Sequence, residues 1–168
     1  MFLKLFPAKY AKNVRFNEQI YRGEDTLFVF EALMNCKSIY FDNKPLYHHV
    51  QSEESATRGA FRESQHSVTK LLDIYEPQLE KVNKELIIPL RQRFLSIYIS
   101  IYADMYFDSK DWTKQQKNLK KKFDELCKKS YVCTIVSNKE KIKAILFKKS
   151  PTLFCKYHYF TLKKHGLI

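Results

Sequence analysis

Residues 94–107 read FLSIYISIYADMYF, a run that is apolar on nearly every side when wound at 3.6 residues per turn. A helix without a polar face has to sit among other elements, since exposure would leave many large side chains in water. The run carries Ser96, Ser100 and Asp104 and stops short of the roughly 20 residues that span a bilayer. It is therefore expected to be a central core helix, which the neighbouring segments must cover.

Those neighbours read as helices. Val68, Leu71, Leu72 and Tyr75 follow the i, i+3, i+4, i+7 spacing of one helical face, and Pro77 is expected to end that helix. Pro89 is expected to open or kink the long central one. From Lys114 to Lys129, Leu119, Phe123, Leu126 and Cys127 share one side and lysines occupy the rest. Ser137 and Glu140 have capping-box spacing ahead of Ile142, Ile145 and Leu146, which predicts a further helix start. Ser150-Pro151 reads as a further helix start, and Gly166 as its stop. Only 3 glycines occur in 168 residues, too few for a turn-rich β-sandwich or for a Gly-rich phosphate loop.

Residues 1–60 have a different pattern. Glu24 to Asn35 places Leu27, Phe28, Phe30, Leu33 and Met34 on a broad apolar helical face. SIYFD (38–42) and PLYHHV (45–50) then read as two short strands around Asn43-Lys44-Pro45. The fold class expected is mainly α with a small β component. Charge divides in the same place. Residues 1–60 carry a net +1 and residues 61–168 a net +11, so the organisation expected is two parts, 1–60 and 61–168. The cysteines at 36, 127, 133 and 155 contain no C-x-x-C and no ligand-like spacing with histidine. They read as free thiols of a reducing compartment and not as a zinc site. The apolar run before Pro7 is too short for a signal peptide, and the expected location is cytoplasmic.

Glu24 and Asp25 stand together at the start of a predicted helix. Carboxylates there accept hydrogen bonds from orphan N–H groups and complement the helix dipole, worth roughly 0.3–1 kcal/mol. The same position would also keep a catalytic carboxylate ionised and aimed. On the second strand Tyr47 and His49 share one face and His48 takes the other, which suits aromatic packing as well as a binding site.

The segment KLFPAKYAKNVRFNEQIYRGEDTLFVFEALMNCKSIYFDNKPLYHHVQSEESATRG resembles the second half of the catalytic domain of family 2 glycosyltransferases, GT-A-fold enzymes that build bacterial surface polysaccharides. The matching order is a KLF-type segment, RF-NEQI-RGED with its Glu-Asp pair, an aromatic-faced helix, a strand, PLYHH, and S-AT. The resemblance covers about the first 60 residues. It implies a partial GT-A α/β segment followed by a variable helical extension. It also implies that Asp25 is the catalytic base of an inverting sugar transfer, with Glu24 supporting it. By the same resemblance Tyr47 and His49 lie near the nucleotide diphosphate. The family often carries an Arg shortly after this tyrosine, where this chain has Val50 and Gln51; Arg58 is the nearest substitute for its positive charge.

Such enzymes use a nucleotide-sugar and a divalent cation, Mg or Mn, held by a D-x-D motif. This sequence contains no D-x-D; the nearest cluster, Asp104, Asp108 and Asp111, has helical spacing and reads as a solvated face. The chain is therefore expected to be the C-terminal portion of such an enzyme, inactive alone, with neither the nucleotide-sugar nor the cation bound to it. The implied partners are a saccharide or lipid-linked acceptor and an anionic membrane surface at the inner face, contacted by the lysines. A homo-oligomer through an exposed sheet edge near residues 1–10 and 38–50 is a further expectation. The alternative is a non-enzymatic basic helical module for nucleic acid or a protein partner, although no nucleic-acid reading module is recognisable.

Overall fold

The computed structural model of the chain describes residues 5–44, 61–129 and 137–164. Every regular element among them is helical, so the mainly α class stands. The chain divides into two compact units, residues 1–71 and 72–168.

In the first unit a single turn, α1 (Ala8–Ala11), precedes α2 (Glu24–Met34). The buried face of α2 is Leu27, Val29 and Ala32, with Phe28, Phe30, Leu33 and Met34 half-buried around it. Phe28 stacks on Phe16, ring centroids 4.8 Å apart, and takes an edge contact from Phe6 at 6.3 Å. A 3₁₀ segment, Glu63–Lys70, buries Ser67, Val68 and Thr69.

The first of the two expected strands is corrected. Ser38 to Asp42 form no strand, and among the described residues there is no strand at all. Alternation of Ile, Tyr and Phe supplies propensity, but a strand exists only with a partner to take its backbone hydrogen bonds. Ile39, Tyr40 and Phe41 are 71%, 90% and 84% exposed, so the residues expected to anchor a sheet stand in solvent and present no sheet edge. Residues 45–50, the second expected strand, lie outside the described residues.

The second unit is built on α4 (Ile87–Phe107), which buries Phe94, Leu95, Tyr98, Ile99, Ile101, Ala103 and Met105. Pro89 falls in the first turn of α4, where a missing N–H costs the helix nothing. Around α4 lie α3 (Leu71–Val82), α5 (Thr113–Lys129), α6 (Asn138–Lys149) and α7 (Pro151–Lys164). Phe147 of α6, fully buried, meets Tyr102 of α4 at 5.0 Å, Phe123 of α5 at 4.8 Å and Phe154 of α7 at 5.7 Å, each edge to face. One ring thus joins four helices.

One other expectation changes. Pro77 lies inside α3 and does not end it. Tyr75 packs edge-on to Phe94, and Glu76 is ion-paired with Arg91; these contacts offset the hydrogen bond that the proline ring removes. In α6 the inward residues are Ala144 and Phe147, while Ile142 and Ile145 are 62% and 54% exposed. The single large ring of Phe147 fills the space at the centre, which rotates both isoleucines outward.

The helix ends follow local chemistry. Trp112 Nε1 donates to Asp108 Oδ2 at 2.6 Å just beyond α4, and Asp111 Oδ1 accepts from the Thr113 N–H at 2.9 Å at the start of α5. Asp108 and Asp111 therefore form a corner and not a continuous helical stripe. Pro151 is the first residue of α7, and Ser150 Oγ accepts from the Leu153 N–H at 3.3 Å. Gly166 lies outside the described residues.

Candidate functional site

Glu24 and Asp25 are the first two residues of α2, as expected. The residue before them, Gly23, has φ 90° and ψ 11°, a left-handed conformation that glycine alone adopts without strain. A Cβ on Gly23 would stand 2.8 Å from Leu71 Cδ1 and 3.5 Å from Val68 Cγ2. The turn is thus pressed against the 3₁₀ segment and its continuation. Its backbone is tied there as well: the buried Ser67 hydroxyl accepts from the Tyr21 N–H at 2.8 Å and the Arg22 N–H at 3.3 Å.

Gly23 has no side chain with which to cap α2, and Asp25 takes that part. Its Oδ1 accepts from the Thr26 N–H at 2.7 Å and from the Thr26 hydroxyl at 3.3 Å, relieving one orphan donor of the first turn. Hydrogen bonds to the carboxylate, these among them, hold Asp25 below the usual carboxylate range. Asp25 is consequently ionised at neutral pH and half-exposed. Glu24 beside it is also half-buried. Tyr47, His49 and Arg58, the other expected site residues, lie outside the described residues.

A second concentration of polar groups lies within the 72–168 unit and was not singled out from the sequence. A cleft of ≈ 580 Å³ runs between α4, α6 and α7, with Arg93, Ser96, Ser100, Glu140, Lys143 and His158 on its walls. The expected capping box is half made. Ser137 Oγ accepts from the Glu140 N–H at 3.4 Å, but the Glu140 carboxylate turns into the cleft. It accepts there from Lys143 Nζ at 2.9 Å and from Ser96 Oγ at 3.0 Å. The Lys143 bond, with Ser96 assisting, lowers the Glu140 pKa. His158 stacks on Phe154, centroids 5.6 Å apart. Burial, with the nearby Lys143 charge, lowers its pKa, and Asp104 opposes the shift. The signal in the sequence was Ser96 and Ser100, four apart in an otherwise apolar run, which places both on one side of α4.

Among the described residues no three His, Cys, Asp or Glu side chains gather as a metal ion would need. Also among the described residues, no helix is long and apolar enough to cross a membrane.

In comparison with known proteins, no family model, no curated protein and no solved structure matches this chain.

Proposed function

We propose that this chain carries the acceptor side of an inverting glycosyltransferase, with Asp25 as the base that takes a proton from the acceptor hydroxyl. The observation that carries the reading is the turn at Gly23. It is a left-handed glycine, packed against Leu71 and tied by Ser67, that fixes a Glu-Asp pair at the start of α2. A merely structural cap needs no such fixing, whereas a base works only when held in one geometry toward its substrate.

In this reaction the acceptor oxygen bonds to the anomeric carbon of a nucleotide-activated sugar while the bond to the nucleoside diphosphate breaks. A sugar hydroxyl does not ionise at neutral pH, so its proton passes to the carboxylate as the new bond forms. Hydrogen bonds to its carboxylate hold Asp25 below the usual carboxylate range, so it is ionised and able to accept that proton. Glu24, adjacent and half-buried, orients the acceptor by hydrogen bonding. The nucleotide-sugar and its cation call for a D-x-D motif that the sequence does not contain. The partial GT-A segment is part of this proposal, as are the contacts of Tyr47, His49 and Arg58 with the diphosphate.

The test has two arms. The purified chain, incubated with labelled nucleotide-sugars and a divalent cation, should neither transfer nor hydrolyse them. Calorimetric titration with bacterial-type oligosaccharides should show binding that Asp25→Asn weakens. Absence of binding to every saccharide offered would overturn the reading. Turnover by the isolated chain would overturn the claim that the donor side is not within it.

A further inference from the structure

We propose that the outward faces of α6 and α7 form a docking surface for an anionic lipid bilayer. It begins from the two isoleucines that the fold turns out. Ile142 and Ile145 lie opposite the buried Ala144 and Phe147 of α6. On α7, Leu153, Tyr157 and Phe160 recur at i, i+4 and i+7 and are 54%, 57% and 71% exposed, opposite the buried Phe154 and Cys155. Two consecutive helices, joined through Ser150 alone, each carry an outward apolar stripe. Exposed clusters of this kind mark contact surfaces.

Charge identifies the occupant. Residues 138–164 contain eight lysines and one acidic residue, Glu140. Glu140 is turned into the cleft and engaged by Ser96 and Lys143, so the one negative charge of these two helices is withdrawn from their outward faces. Lys148 and Lys149 end α6, and Lys163 and Lys164 end α7, all exposed. A bilayer interface rewards both features together. Aliphatic and aromatic side chains enter the headgroup–acyl boundary, while lysines reach up to lipid phosphates along their flexible stems. A nucleic acid would use the lysines but offers nothing to bury Ile142, Ile145 or Leu153, which have no flat face to stack on a base.

The proposal stands apart from the glycosyltransferase reading, because vesicle binding is measured without a nucleotide-sugar. The experiment is co-sedimentation of the full chain with vesicles of phosphatidylcholine alone and of phosphatidylcholine with phosphatidylglycerol. Binding to the anionic vesicles only, weakened by raised salt and about tenfold weaker in Ile142→Ser/Phe160→Ser, is the expected result. Both substituted side chains are exposed, so helicity by circular dichroism should be unchanged. If that variant loses helicity, Lys148→Gln/Lys149→Gln provides the second reading and should weaken binding to anionic vesicles. Equal binding to both vesicles, no binding, or undiminished binding by a folded variant would each overturn the proposal. So would salt-sensitive binding to duplex RNA in place of anionic vesicles.

Discussion

Gly23 and Leu71 meet so closely that a Cβ on the glycine would lie 2.8 Å from Leu71 Cδ1. The backbone at Gly23 is also left-handed, so the turn that presents Glu24 and Asp25 excludes a side chain on two independent grounds. Gly23→Ala should destabilise the chain by about 2 kcal/mol, from the strained φ and the forced shift of Leu71. Urea denaturation would show it as a lowered midpoint. An unchanged midpoint would mean that the turn is not held as described.

The meeting of four helices at Phe147 makes that residue the most sensitive position of the second unit. Its ring touches Tyr102, Phe123 and Phe154. Phe147→Ala removes these contacts and leaves a cavity, for an expected loss of roughly 3–5 kcal/mol. Ile145→Ala, two residues earlier and exposed, should change denaturant stability by less than about 0.5 kcal/mol. Similar losses at both positions would contradict the orientation of α6.

Protonation of His158 should oppose folding. Burial first, then the Lys143 charge, lowers its pKa below the ordinary 6.5, so between the folded and unfolded values the unfolded chain binds more protons. The stability tied to the neutral ring is complete above about 6.5 and is lost as pH falls through the folded value. Denaturation midpoints measured downward from neutral pH should decline, and His158→Gln should flatten that part of the profile. A parallel decline in wild type and variant would assign the slope elsewhere.

Cys155 is fully buried, and burial pushes its thiol up to about 12. The thiolate is the reactive form. Peptide mapping after brief alkylation at pH 8 should therefore find Cys155 unmodified in the native chain and modified in denaturant. Labelling of the native protein at this residue would mean that α7 opens.

The parts of this fold that could be read in the sequence are those set by local pattern. The all-round apolar run of 94–107 became the central helix, Ser150-Pro151 started α7, and Leu119, Phe123 and Leu126 turned inward as their spacing required. What could not be read depends on partners distant in the chain. Ser38 to Asp42 has strand propensity but no neighbouring strand among the described residues. Pro77 is carried through α3 by contacts to Phe94 and Arg91 that local rules do not contain. The inward choice in α6 between Phe147 and the two isoleucines is settled by three rings on other helices. The acidic pair was visible as a helix start, but the hydroxyl of Ser67, more than forty residues later, fixes its turn. The cleft at Glu140 escaped because Ser137 and Glu140 fit a capping box, and only the folded chain shows the carboxylate spent on Ser96 and Lys143.

The most direct test of the acceptor-side assignment is to map saccharide binding by two-dimensional NMR on the isotope-labelled chain. The account predicts that an oligosaccharide acceptor shifts the amide signals of Gly23, Glu24, Asp25 and Thr26, and that Asp25→Asn reduces those shifts while the Phe147 region stays unchanged. Saccharide-induced shifts that leave residues 23–26 untouched, or that persist in full in Asp25→Asn, would contradict it.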